Sequence, residues 1–318
     1  MTEPRAIVFG YSEVGCECLE LLLRRKTSVV AVFTHKDQPG ENLWFRSVAA
    51  LAREHGLPVF TPDSLKAPEW EAQLRRLRPD LILSFYYRNL ISDRLLKLAP
   101  LGAFNMHGSL LPKYRGRAPV NCAVLNGEIE TGATLHHMVQ RADAGDIVDQ
   151  EAVAIGPEET AIQVMKKVQG AALKVLDRQL PALLVGRAPR RSQDETQATY
   201  FGARKPEDGR IDWRKSAASI FNLIRAVTLP FPGSFTDCGS ARLMVWRAKL
   251  PALSSQQGGA LLPGQVIGLN PFAVATGQGV LQITDCQWVN HREPAQSVAS
   301  PPLAVGQILS SLGEQTKP

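Results

Sequence analysis

The chain has 318 residues, more than one ordinary core supports, so two domains are expected. Hydrophobic residues make up 44% and charged residues 21%, a balance that excludes an intrinsically disordered chain. The formal charge of +6 admits either nucleic acid or a small anionic partner, but lysines and arginines are spread along the chain and charge alone selects neither.

The N-terminus carries an acidic residue early and has no secretory pattern, and runs such as Val29 to Phe33 are far short of a bilayer span. No membrane insertion is expected, and a cytoplasmic location follows. Cys16, Cys18, Cys122, Cys238 and Cys286 form no paired spacing, so reduced thiols and no metal are expected. His136 and His137 are adjacent; on a strand they point to opposite faces and chelate poorly.

Arg5 to Gly10 is a short apolar run ending in glycine, as in a buried parallel strand. A helix is predicted over residues 14–25, a strand over 29–34, a helix over 44–55, a short strand over 58–60, a helix over 70–77 and a strand over 81–85. This alternation predicts an α/β domain with a Rossmann-like, mostly parallel sheet. The first turn, GYSEVG, lacks the middle glycine of a dinucleotide fingerprint, which argues against a dehydrogenase. Helix follows over 161–184. Polar, turn-rich residues 188–209 read as a linker between a first domain over 1–187 and a second over 210–309. Within the second, a helix over 216–227 precedes short β-rich segments that suggest a small antiparallel, OB-like barrel. Phe231, Trp246 and Trp288 are read as its core rather than a base-stacking platform, and residues 310–318 as a polar tail.

The most informative stretch runs from Ala103 to Gly132. Asn105 and His107 are two apart, so on a strand they share a face, and at the strand's carboxyl end they lie where open α/β sheets bind ligands. An amide beside an imidazole suits acyl chemistry: the amide stabilises a developing oxyanion while the histidine moves a proton. Proline-stiffened residues 108–119 bring Lys113, Arg115 and Arg117 to this point, a cationic loop suited to an anionic ligand. The segment QRADAGDIV offers Asp143 or Asp146 to orient the histidine, and spacing does not choose between them.

Asn105-x-His107, followed by GSLLPKYRGRAP and RADAG, resembles the signature of 10-formyltetrahydrofolate-dependent formyltransferases, and the likeness spans nearly the whole chain. The resemblance implies that His107 transfers a proton, that Asn105 stabilises the oxyanion and that Asp143 is the acid supporting His107. It further implies folate contacts at Asn89, Leu90, Ile91, Arg117, Val139, Gln140, Arg141, Ala142 and Asp143. No metal and no covalent enzyme intermediate are implied.

QPGENLWF, SFYYRNLI and LLPKYRGRAP are most similar to the ArnA-type formyltransferase domain, which formylates UDP-4-amino-4-deoxy-L-arabinose for lipid A modification and polymyxin resistance. A UDP-amino-sugar is therefore the expected acceptor. Methionyl-tRNA formyltransferase is the alternative, but the segment after Thr34 is short, and Asp37 and Glu41 offset its cations, against the needs of a phosphate grip. A non-enzymatic folate- or nucleotide-binding regulator on the same scaffold is the third reading, and the joint presence of Asn105, His107 and Asp143 counts against it. The ArnA type carries a second, decarboxylating half. In 318 residues there is no second Rossmann unit, so this chain is expected to lack that activity, as either a stand-alone transferase or an isolated module, with the decarboxylase on a separate polypeptide.

Overall fold

A computed structural model of the chain describes residues 3–36, 44–238, 241–251, 261–290 and 303–309. The apolar runs of the first half become strands because each is flanked by turn formers and rich in β-branched and aromatic side chains. They are β1 (Arg5–Gly10), β2 (Ser28–Phe33), β3 (Val59–Phe60), β4 (Leu81–Phe85) and β5 (Gly102–His107). Then come the two-residue β6 (Arg115–Gly116), β7 (Glu130–His137) and β8 (Ile147–Ala154). Seven of them form one sheet in the order β3-β2-β1-β4-β5-β7-β8. The first five run parallel, while β7 is antiparallel to both β5 and β8. The Rossmann-like, mostly parallel architecture read from the sequence is therefore present.

The helices of this half are α1 (Ser12–Arg24), α2 (Val48–Glu54), α3 (Pro68–Leu77), α4 (Asp93–Leu96), α5 (Pro119–Leu125) and α6 (Ala161–Leu184). Against the predicted helix over 44–55, α2 starts only at Val48. Ser47 Oγ accepts the Ala50 amide and so terminates the helix there, and Phe45 packs edge-on against Tyr11. On one face of the sheet Ile7, Phe9, Phe33, Leu74 and Ile82 build a core in which Phe9 and Phe33 stack at 4.7 Å.

The chain divides into two compact units. One comprises residues 1–120, 130–154 and 164–202; the other comprises 121–129, 155–163 and 203–318. The stretch expected as a linker is thus structured. As far as Gly202 it belongs to the first unit, where β9 (Tyr200–Phe201) pairs with β6. The second unit also takes two segments from the first half of the chain. Asn121 Nδ2 donates to the Ala226 carbonyl at 2.8 Å, and the Arg225 guanidinium donates to the Glu159 carbonyl at 3.1 Å.

The second unit contains α7 (Ala217–Val227) and an antiparallel sheet of β10 (Ser234–Cys238), β11 (Ala241–Lys249), β12 (Val266–Leu269), β13 (Phe272–Ala275) and β14 (Val280–Asn290). The strand order is β10-β11-β14-β13-β12, and among the described residues no ladder joins β10 to β12 to close a barrel. Trp288 lies in the core, and Trp246 packs on Phe235, Met244 and Val289. The largest fully buried side chain is Trp213, whose indole N–H donates to Thr236 Oγ1 at 3.2 Å. Among the described residues no helix is long and apolar enough to cross a membrane. The predicted tail, 310–318, and Asp37 to Leu43 lie outside the described residues.

Candidate active site

The carboxyl end of β5 carries Asn105 and His107, and antiparallel pairing with β7 sets His136 directly opposite Asn105. Three side chains converge on one carboxylate oxygen, Asp143 Oδ1. His107 Nδ1 lies at 3.5 Å, His136 Nε2 at 3.4 Å and Asn105 Nδ2 at 3.4 Å. The other oxygen, Oδ2, accepts the Gly116 amide at 2.9 Å. Asp146, the competing carboxylate, turns away to pair with Arg190 at 3.1 Å. Of the two acids in this loop, Asp143 is therefore the one beside His107.

Carbonyl oxygens only accept, and that determines two tautomers. His107 Nε2 meets the Tyr114 carbonyl at 2.8 Å and so carries hydrogen, leaving Nδ1 as the position for proton exchange, on the side of Asp143. His136 Nδ1 donates to the His137 carbonyl at 2.9 Å, leaving Nε2 to accept from Asn105 Nδ2 at 3.1 Å. Burial of the Asp143 carboxyl would by itself raise its pKa. When protonated, the imidazoles of His107 and His136, together with the Gly116 amide, outweigh that and hold it well below the usual carboxylate range.

The loop after His107 is pinned by side chains rather than by regular structure. Thr134 Oγ1 donates to the Ser109 carbonyl at 2.6 Å and accepts the Leu111 amide, while the Tyr114 amide donates to Thr199 Oγ1 at 2.8 Å. Of the three cations read as facing a ligand, Arg115 does not. It is fully buried, bonded to Gln193 and Glu195 at 2.7 Å each and also to the Tyr200 hydroxyl. A buried guanidinium has to be saturated with acceptors inside the protein, so its charge is spent there. Lys113 and Arg117 are the two that remain exposed.

The other predicted contacts divide by burial. Leu90 is 74% exposed and Val139 45%, whereas Ile91 belongs to the sheet core. Asn89 donates to the Asp63 carbonyl at 3.3 Å. Gln140 and Arg141 are exposed and Ala142 is half-buried. A cleft of about 680 Å³ is lined by Leu96 and Lys97 at the end of α4, and by Met138, Val139, Arg141 and Arg190 among others. Gln193 was not singled out by the sequence, and His136 was weighed only as half of a poor metal pair, not as a member of this site. His136 and Gln193 lie 31 and 50 residues from their respective partners, Asn105 and Asp143, with no local spacing to betray them. His136 and His137 diverge as expected, His137 turning to the Pro189 carbonyl. Among the described residues no group of side chains is suited to a metal ion.

Comparison with solved structures finds the same fold in WlaRD, a sugar 3N-formyl transferase solved with dTDP and 5-N-formyl-THF. The TM-score is 0.70 at 19% identity, covering 91% of this chain and 99% of that one. The N-formyltransferase from Helicobacter canadensis, in complex with folinic acid and dTDP-3-aminofucose, gives 0.68 at 19% identity, with 90% and 100% covered. A 4-N formyltransferase from Francisella tularensis gives 0.59 at 22% identity, with 73% and 91% covered. At the level of sequence families, residues 5–180 match Formyl transferase and residues 204–299 match Formyl transferase, C-terminal domain. With more than half of the chain covered by the first match alone, the chain belongs to the formyl transferase family.

Proposed function

We propose that the chain transfers the formyl group of 10-formyltetrahydrofolate to the 4-amino group of a UDP-amino-sugar, UDP-4-amino-4-deoxy-L-arabinose, through Asn105, His107 and Asp143. The observation that carries this reading is the sharing of Asp143 Oδ1 by Asn105 and His107, at 3.4 and 3.5 Å. The residues fit the folate. The cleft's volume is that of a small-molecule site, and Leu96, Met138 and the exposed Val139 in its lining offer apolar surface for a ring system. Lys97, Arg141 and Arg190 offer charge for its carboxylates.

The bound folate supplies an activated formyl carbon. The chain's own residues handle charge and protons. The attacking amine must lose a proton, and His107 takes it up at Nδ1, because Nε2 is committed to the Tyr114 carbonyl. The same proton passes to the folate nitrogen as its bond to the formyl carbon breaks and tetrahydrofolate leaves. Asp143 remains ionised at neutral pH and balances the imidazolium so formed. Asn105 has two amide hydrogens. The one on His136 Nε2, at 3.1 Å, is the better bond, so the one reaching Asp143 at 3.4 Å is the one to redirect to a developing oxyanion.

For the acceptor, support comes from the likeness of QPGENLWF and LLPKYRGRAP to the ArnA type, from the dTDP-3-aminofucose bound by one similarly folded N-formyltransferase and from another being a 4-N formyltransferase. Incubation with 10-formyltetrahydrofolate and either the UDP-amino-sugar or methionyl-tRNA, followed by mass spectrometry, tests it. A product 28 mass units heavier (about one CO) is expected on the sugar nucleotide. Formylated tRNA without formylated sugar would overturn the acceptor.

A further inference from the structure

The segment between Ser192 and Phe201, which reads in sequence as part of a polar linker, touches both halves of the site. Gln193 is its centre. Its Oε1 accepts from Arg115 Nε at 3.1 Å and from a terminal nitrogen of the same guanidinium at 2.7 Å. Its Nε2 donates to the carbonyls of Asp143 at 2.8 Å and Gly145 at 2.7 Å. All four bonds are intact at once, so one amide ties the loop after His107 to the loop that carries Asp143. Glu195 repeats the connection two residues on, bridging Arg115 to Arg141 at 3.1 Å.

Two features of Asp143 make such a clamp consequential. Its backbone is left-handed, with φ of 55°, a conformation that a residue with a Cβ keeps only when its surroundings hold it there. Its contact with His107 Nδ1, at 3.5 Å, becomes a hydrogen bond only once Nδ1 takes up a proton, and lies at the outer limit of one, where a shift of a few tenths of an ångström decides whether the pair interacts. The carbonyl that Gln193 grips belongs to this same strained residue. The loop after His107 holds the opposite end of the geometry: the Tyr114 carbonyl sets the imidazole and the Gly116 amide holds Asp143 Oδ2.

We propose that Gln193, braced by Arg115, is a positioning residue that sets Asp143 against His107, and that residues 192–201 are working parts of the site rather than a connector. This rests on the role assigned above to Asp143. The groups facing that carboxylate are His107, His136, Asn105 and the Gly116 amide; Arg115 and Arg141 are engaged by Glu195.

The full chain carrying Q193E or Q193L tests the proposal. Both variants lack the N–H for the two carbonyls, so kcat is expected to fall about tenfold or more in each while the KM for 10-formyltetrahydrofolate stays within about threefold. Glutamate keeps an acceptor for the buried Arg115, so the melting temperature of Q193E changes by a few degrees at most, whereas Q193L also removes that acceptor and melts lower. Wild-type kcat in Q193E, or a loss confined to KM in either variant, overturns the proposal. A ¹³C NMR titration of the Asp143 carboxyl reads the clamp without any substrate, and is expected to move upward in both variants as its partners drift away. Should the wild-type chain transfer no formyl group to any amine, the functional reading fails while this titration still decides the clamp, and an unmoved Asp143 overturns it.

Discussion

Asp143 concentrates the energetics of the site on one residue. Its folded pKa lies below the ordinary value of 3.8, so the stability it contributes is present above that value and is lost as pH falls towards the folded pKa. The melting temperature of the wild-type chain should therefore drop as pH is lowered from about 5 to about 2, and D143N should show a shallower drop, measured by calorimetry at matched ionic strength. At neutral pH the same substitution is expected to lower kcat by roughly 10²- to 10³-fold, since the amide cannot balance an imidazolium. An unchanged rate would move the role away from Asp143. His107→Ala is expected to cost roughly 10²- to 10⁴-fold in turnover with folate binding largely kept, checked by isothermal titration beside steady-state kinetics. Equal losses in both would make His107 a binding contact instead.

At the scale of elements, loops rather than strands hold the geometry, and close backbone approach is what makes them rigid. A Cβ on Gly145 would lie 1.9 Å from the His137 carbonyl oxygen, so the loop bearing Asp143 folds back onto the end of β7 only because that side chain is absent. Gly145→Ala should lower the melting temperature by several degrees and reduce turnover together with it, because relieving the clash displaces Asp143. Retention of wild-type rate would show that the loop relaxes without moving the carboxylate. Periodicity anticipated the large-sheet strands up to β4 and most helices, since a buried parallel strand needs a continuous apolar run wherever it occurs. It misread residues 44–47 as helix, because Trp44 and Phe45 carry helical spacing but spend it on aromatic packing, Phe45 against Tyr11.

For the whole molecule, the division into units depends on contacts that cross the linear order of the chain. Residues 188–202 complete the first unit by saturating the buried Arg115, so a fragment ending at 187 leaves that guanidinium without Gln193, Glu195 and Tyr200. Stranding a buried charge costs about 3–5 kcal/mol, so a fragment of residues 1–187 should unfold at lower temperature and less cooperatively than one of residues 1–202. Coincident melts by circular dichroism would contradict this.

The sequence by itself determined the fold class, the placement of Asn105 and His107 on one face of a strand and, through the family signature, the formyl-transfer chemistry. These are local properties: a period of two along an extended backbone and a contiguous motif are legible without knowing what lies across the sheet. Spacing left Asp143 and Asp146 open and the family signature implied Asp143; tertiary structure decided that His136 joins the site from the neighbouring strand, that Arg115 is spent inside the protein and that Gln193 grips the Asp143 loop. Each of these depends on the register of β5 against β7, or on a loop closing over tens of residues, and no pattern of nearby residues encodes that distance.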